Sequence, residues 1–219
     1  MSGIHIKWEN MLALLLREFN LWAETADRAD AGWQGDFPKW RELISHANTL
    51  LTAPHVSEEE LHSVGCCWAA SEEDEECSRF ARSHVNEPNV LEKVTSLTQH
   101  NDRDARWQAY DVLGSYSGND AFLCRLLEVG LVDVDAYVRR RAFNMLLKKL
   151  PEARKAEYIS KMLDDSEEYN RYVATKAAMK SNKAELQEQA RLLLTQDDAV
   201  KELFDYYLEH KEIIDKYDD

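Results

Sequence analysis

Apolar residues recur at i, i+3, i+4 and i+7 along nearly the whole chain, and no stretch alternates apolar and polar residues as a half-buried strand would. The pattern predicts an all-α protein. A first helix is expected over residues 6–28, burying Trp8, Leu12, Leu15, Leu16, Phe19 and Trp22 and ending in the turn Ala31-Gly32-Trp33-Gln34-Gly35-Asp36. A second follows over residues 38–51. Ser57-x-x-Glu60 has the form of a capping box and starts a third; Ser71-x-x-Asp74 is a weaker start, and residues 88–100 form another helix behind Pro88.

From residue 101 the sequence repeats itself. Four segments, beginning at Asp102, Asp135, Glu167 and Asp197, align at offsets of 33, 32 and 30 residues. In the first three each opens with an acid, then carries a small or apolar residue (Asn170 in the third), a base (Arg106, Arg139, Arg171) and a small residue, with a further small or apolar residue four positions on. The acid at the head is suited to cap a helix N-terminus, where unpaired N–H groups and the positive end of the helix dipole favour a carboxylate. Positions +3, +7 and +11 from the acid share one helical face and should pack inward, the small +7 residue permitting close approach of a neighbouring helix. The base can reach an acid on an adjacent copy. Residues 120–129, 152–163 and 184–195 read as the intervening helices, so each period is a helix pair that has to stack on its neighbours to bury its apolar face.

Asp102-Arg103-Asp104-Ala105-Arg106 and Asp135-Ala136-Tyr137-Val138-Arg139, followed by spaced Ala and Leu, resemble the second helix of the HEAT repeat family, with the gap after the acid one residue shorter and Asp133 and Asn101 nearby. The third copy departs further, with Asn170 in the Val column. The resemblance covers residues 88–219. It implies a right-handed α-α superhelix, a HEAT-like solenoid that binds macromolecules along its concave face. On this reading residues 1–100 are an N-terminal helical portion and residues 101–219 are repeats in one continuous solenoid.

Composition narrows the class. With 7 Gly and 4 Pro in 219 residues, a sandwich or barrel has too few turn formers, and 44% apolar residues exclude wholesale disorder. The 27 basic and 41 acidic residues leave a net charge of −14, which opposes nucleic-acid binding. The longest apolar run, residues 12–16, falls far short of the roughly 20 needed to span a bilayer, and no cleavable leader is evident, so a cytoplasmic location without membrane contact is expected. Cys66, Cys67, Cys77 and Cys124 lack the spacing of a secreted disulfide framework and read as reduced, mostly buried thiols.

Candidate contact residues follow from the resemblance. If the second helices line a concave face, the residues after each repeat base point away from the core: Trp107 and Gln108, Arg140 and Arg141, Tyr172, and Glu202. Trp107, Arg140, Arg141 and Tyr172 are of the types that dominate binding hot spots. For Arg106, Arg139 and Arg171 the plainer reading is a ladder of salt bridges with repeat acids such as Asp102 and Asp135. The acid run Glu72-Glu73-Asp74-Glu75-Glu76 is either a solvated helix start or a surface that steers a basic partner.

Chemistry is sparse. No phosphate loop, nucleophile elbow or His-Glu-x-x-His pair is present. His62 and Cys66 stand at i, i+4, with Cys67, Cys77 and His84 in the same region, but the spacing fits no familiar zinc module and no metal or cofactor is expected. The favoured function is therefore a non-enzymatic protein-binding solenoid. Its size and acidity look like those of a bacterial immunity protein that neutralises a basic toxin. A scaffold or adaptor is one alternative; another is a HEAT-like glycosylase of alkylated DNA bases, for which Trp107, Asp111 and Arg140 would be the groove residues. Phe204, Tyr206, Tyr207, Leu208, Ile213, Ile214 and Tyr217 either cap the last repeat, leaving a monomer, or form a homodimer contact through the C-terminal helix.

Overall fold

A computed structural model describes residues 11–26, 33–71, 76–118 and 120–217. Among them are twelve α-helices and no strand, which makes the protein all-α. In chain order they are α1 (Met11–Ala23), α2 (Trp40–Thr52), α3 (Glu58–Ser71), α4 (Glu76–His84), α5 (Pro88–Leu97), α6 (Arg103–Leu113), α7 (Asp120–Gly130), α8 (Ala136–Lys149), α9 (Glu152–Leu163), α10 (Glu168–Lys180), α11 (Ala184–Gln196) and α12 (Asp198–Tyr217). None is long and apolar enough to cross a membrane. Ile6, Trp8 and Gly32 lie outside the described residues, whereas Leu12, Leu15, Leu16 and Phe19 form the buried face of α1 as the periodicity requires.

The chain packs as two compact units, Met1–Gly130 and Leu131–Asp219. The first repeat copy, α6, belongs to the earlier unit, where it packs on α3, α4 and α5, so the packing boundary falls later than the boundary at residue 100 read from the sequence. In this unit α2 and α3 are the central helices, each touching most of the others. The core gathers Leu43, Ala47 and Leu51 of α2, Trp68 of α3, and Tyr110 and Leu113 of α6. Lys93 of α5 is buried here and donates from Nζ to the carbonyls of Leu51, at 2.9 Å, and Ala53. It satisfies carbonyls that the last turn of α2 cannot pair internally, at the negative end of that helix. Burial lowers its amine pKa from the ordinary lysine value, although the charge of Glu92 opposes this.

The second unit has two layers. Helices α8, α10 and α12 follow one another in one layer, and α9 and α11 pack beside them in the other, a solenoid-like stacking of helix pairs.

Local chemistry explains where the helices begin. Ser57 and Glu60 close a reciprocal box: the Ser57 N–H donates to the Glu60 carboxylate at 2.6 Å, and the Glu60 N–H donates to Ser57 Oγ at 3.2 Å. Pro88 occupies the first turn of α5, where its missing N–H costs nothing. Asp102 Oδ1 accepts from the Asp104 N–H, Asp135 Oδ1 from Tyr137 and Val138, and Asp197 Oδ1 from Val200. Glu167, the acid of the third copy, makes no such cap. Two residues before it, Asp165 Oδ1 accepts from the Glu167 N–H at 2.9 Å, as Asp133 Oδ1 does from the Asp135 N–H at 2.8 Å.

The inward columns of the repeat are buried as expected in three copies. Ala105, Ala109 and Leu113; Val138, Ala142 and Leu146; and Asn170, Ala174 and Ala178 are all fully buried. In the fourth, Val200 and Phe204 are buried with Tyr172 and Tyr207, but Leu208 is 54% exposed. It lies in α12 just ahead of a kink at His210 (φ −115°, ψ 16°).

Candidate functional site

The three repeat arginines make one motif. Each sends Nη1 to the carbonyls six and five residues earlier: Arg106 to His100 and Asn101, Arg139 to Asp133 and Val134, Arg171 to Asp165 and Ser166, all between 2.9 and 3.2 Å. Arg139 also grips Asp165, with Nε on Oδ2 at 2.7 Å and Nη2 on Oδ1 at 2.8 Å. Arg171 repeats the contact on Asp197, with Nε on Oδ2 at 2.7 Å. In the second and third copies the base thus reaches an acid of the next, whereas Asp102 and Asp135, the acids named for the ladder, cap their own helices. For Arg139 and Arg171 the acid stands at the turn before the following second helix.

Burial raises the Asp165 carboxyl pKa, but the Arg139 hydrogen bonds and charge, the Glu167 N–H and Asn170 outweigh it and hold that carboxyl below its ordinary range. Burial also raises Asp197, and the Val200 N–H and Arg171 bring it down in the same way.

Three of the residues expected to point away from the core, Trp107, Gln108 and Tyr172, face inward instead. Trp107 is 7% exposed, with Nε1 donating to Asp104 Oδ1 at 3.0 Å, and Tyr172 is 6% exposed within the α10–α12 core. Gln108 is fully buried, donating from Nε2 to the Trp68 carbonyl. The small residues at +7 allow neighbouring helices so close that the buried arc widens past the +3, +7, +11 line and takes in positions beside it. Asp111 is likewise buried, with its carboxylate 3.8 Å from Arg82.

Arg140 and Arg141 remain at the surface, partly covered. The Arg140 guanidinium lies 4.7 Å from the ring centre of Tyr137 and 4.4 Å from that of Tyr169, and its Nη1 donates to Asn170 Oδ1 at 3.4 Å. Arg141 lies 5.8 Å from the Tyr137 ring. Asn170 is the polar residue in the Val column; it is fully buried and donates from Nδ2 to the Ala136 carbonyl, tying α10 to the start of α8. Beside this cluster Tyr169 is 43% exposed and Val134 is 92% exposed. Sequence reasoning missed Tyr137 and Tyr169, although both occupy the +2 position of their copies, a repeated aromatic that the column comparison could have revealed.

Of the acid run, Glu72, Glu73, Asp74 and Glu75 lie outside the described residues. Glu76 opens α4 and accepts from Trp40 Nε1 at 2.8 Å.

A second cluster forms in the first unit. His62 and Cys66 stand on successive turns of α3, with Cys66 Sγ 3.6 Å from His62 Nε2. His100, just beyond α5, brings Nε2 to 4.0 Å from the same sulfur and 2.9 Å from His62 Nδ1, the two rings stacking with centroids 4.8 Å apart. The Asp102 N–H donates to His100 Nδ1 at 3.1 Å. Burial raises the Cys66 thiol pKa, aided by the charge of Asp102; burial and then the neighbouring His62 lower that of His100, against smaller opposing effects from the His62 backbone and Asp102.

The other sequence candidates of that region do not join this cluster. Cys67 and Cys77 are fully buried with their sulfurs 3.8 Å apart; the Cys77 contact and burial raise the Cys67 thiol well above its ordinary range. His84 stacks on Phe80. All four cysteines are reduced, and three are buried. His100 had no local signal, because its neighbours in the cluster lie 34 and 38 residues earlier.

Compared with known proteins, the chain matches no family model and no curated protein.

Proposed function

We propose that this chain is a non-enzymatic helical-repeat protein that works by binding another protein, with Tyr137, Arg140, Arg141 and Tyr169 at the centre of the contact surface. The observation that carries the reading is the seating of Arg140 between two tyrosine rings from consecutive copies, at 4.7 and 4.4 Å, beside the exposed Val134. Arg and Tyr dominate binding hot spots because each couples a large contact area to a polar head. Here stacking holds the guanidinium in place, so little side-chain freedom remains to be lost on association.

The resemblance to HEAT repeats supports the same class. The net charge of −14 favours a basic partner, drawn in at long range before the Arg-Tyr surface engages. An immunity protein that neutralises a basic toxin is the specific form this charge favours; a scaffold or adaptor would use the same surface. The burial of Trp107 and Asp111 weighs against a base-binding groove built on them.

The test is affinity capture of the tagged chain from its own cells, with and without nuclease, beside an Arg141→Glu/Tyr169→Ala variant whose circular dichroism matches wild type. The expected result is a stoichiometric basic protein that survives nuclease and is lost from the variant. Recovery of nucleic acid alone, or of the same proteins with both baits, overturns the reading.

A further inference from the structure

We infer that His62, Cys66 and His100 form a mononuclear binding site for a zinc-class transition-metal ion, with the fourth position left to water or an incoming ligand. The three ligand atoms lie within 4.8 Å of one another. Tetrahedral zinc, with Zn–N of about 2.0 Å and Zn–S of about 2.3 Å, sets its ligand atoms about 3.3 to 3.6 Å apart. The Cys66 Sγ to His62 Nε2 separation of 3.6 Å already has that length, and Sγ to His100 Nε2 at 4.0 Å needs only a small inward swing of the ring. Two imidazoles and one thiolate suit zinc and its cobalt surrogate, and exclude calcium and magnesium, which take oxygen ligands.

The cluster is built into the backbone. A Cβ on Gly65, in the interior of α3, would lie 2.5 Å from His100 Cδ2 and 2.7 Å from Nε2. Glycine is a poor helix former, yet here it leaves the space the His100 ring occupies beside Cys66. His62 and Cys66, at i and i+4, project from one helical face toward that ring. His62 is exposed, so the ion has a route in from solvent.

Protons balance simply. The Asp102 N–H on His100 Nδ1 places the His100 proton on Nε2, donated to His62 Nδ1, and the His62 proton then sits on Nε2. Binding moves each imidazole proton to the other nitrogen of its own ring, at the cost of the Asp102 N–H contact. The Cys66 thiol proton is released to solvent, so each divalent ion bound frees one proton.

Cobalt(II) titration of the chelator-stripped full chain tests this. One equivalent is expected to bind with a thiolate-to-cobalt charge-transfer band in the near ultraviolet, and Zn²⁺ added afterwards should remove the band. Cys66→Ser should abolish the band, and His100→Ala and His62→Gln should each weaken binding at least tenfold. His84→Gln, outside the cluster, should bind as wild type does. His62 is exposed, so its variant tests the site even if the half-buried positions compromise folding. Absence of the band in wild type, its persistence in Cys66→Ser, or equal affinity in His62→Gln overturns the assignment.

Discussion

Arg139 and Asp165, 26 residues apart, are joined by two parallel hydrogen bonds of 2.7 and 2.8 Å, and their side chains are only 12% and 8% exposed. The same guanidinium holds the Asp133 and Val134 carbonyls at the turn before α8, so one side chain joins the entry to its own helix to the acid at the turn before α10. Arg171 and Asp197 repeat the arrangement one copy later. A buried pair of this kind adds little over an apolar pair, but removing one member strands the other.

Arg139→Ala should therefore destabilise the second unit by about 3 to 5 kcal/mol, through an unpaired Asp165 and two abandoned carbonyls. Arg139→Lys should recover only part of the loss, because an ammonium cannot span both carboxylate oxygens and the carbonyls together. Urea unfolding of the three proteins checks the order wild type, Lys, Ala.

The ladder also sets an acid limit. The Asp165 and Asp197 carboxyls titrate below the ordinary aspartate value of 3.8 in the folded chain, so the stability they lend is present in full above that value. It drains away as pH falls from there through the folded pKa values, as the folded state takes up its last protons. Asp165→Asn should be less stable than wild type near neutrality, and the gap should narrow in this acid window. Urea midpoints measured from pH 6 down to pH 2.5 would show it; a constant gap would mean that Asp165 is not held low by Arg139.

Ala142 is fully buried at the +7 position of the second copy. Ala142→Asp should cost at least about 4 kcal/mol, by burying a carboxylate with no partner and prying apart helices whose approach depends on a methyl group. Loss of the cooperative circular-dichroism melt is the expected readout, and a wild-type melt would remove residue 142 from the interface.

Gly65→Ala separates the His/Cys cluster from the fold. The added methyl would lie 2.5 Å from Cδ2, 2.7 Å from Nε2 and 2.9 Å from Cγ of His100, so that side chain has to swing out as a whole, while alanine regains about 1 kcal/mol of helix propensity. The melting temperature should change little, while the 2.9 Å contact between His100 and His62 opens. Nitrogen chemical shifts of the imidazoles would report the altered tautomers; unchanged shifts would mean that the glycine is not what admits the ring.

The periodicity carried most of the fold. Residues 152–163 were expected to be helical, and α9 spans Glu152–Leu163. Ser57-Glu60, Asp102, Asp135 and Asp197 also act locally as their residue types require, because a cap depends on a side chain and N–H groups two or three positions away. Glu167 aligns with aspartates but makes no side-chain cap, and the Asp165 contact beside it is the counterpart of Asp133 on the Asp135 N–H, not a replacement.

The sites were less legible. Column position could not tell Trp107 and Tyr172, which are buried, from Arg140 and Arg141, which reach the surface, because the width of the buried arc depends on how closely the neighbouring helices approach. His100 could not be joined to His62 and Cys66 by spacing, since the link runs through a contact between α3 and the end of α5.

The sequence by itself thus determined the helices, the caps at Ser57, Asp102, Asp135 and Asp197, and the inward columns of the first three copies, which follow from residue type and spacing within a few positions. Only the tertiary structure decided which acid each arginine grips, which aromatics remain outside, and that two histidines and a cysteine converge on the space left open by Gly65. Those outcomes depend on packing distances between helices, to which no single segment of the chain is sensitive.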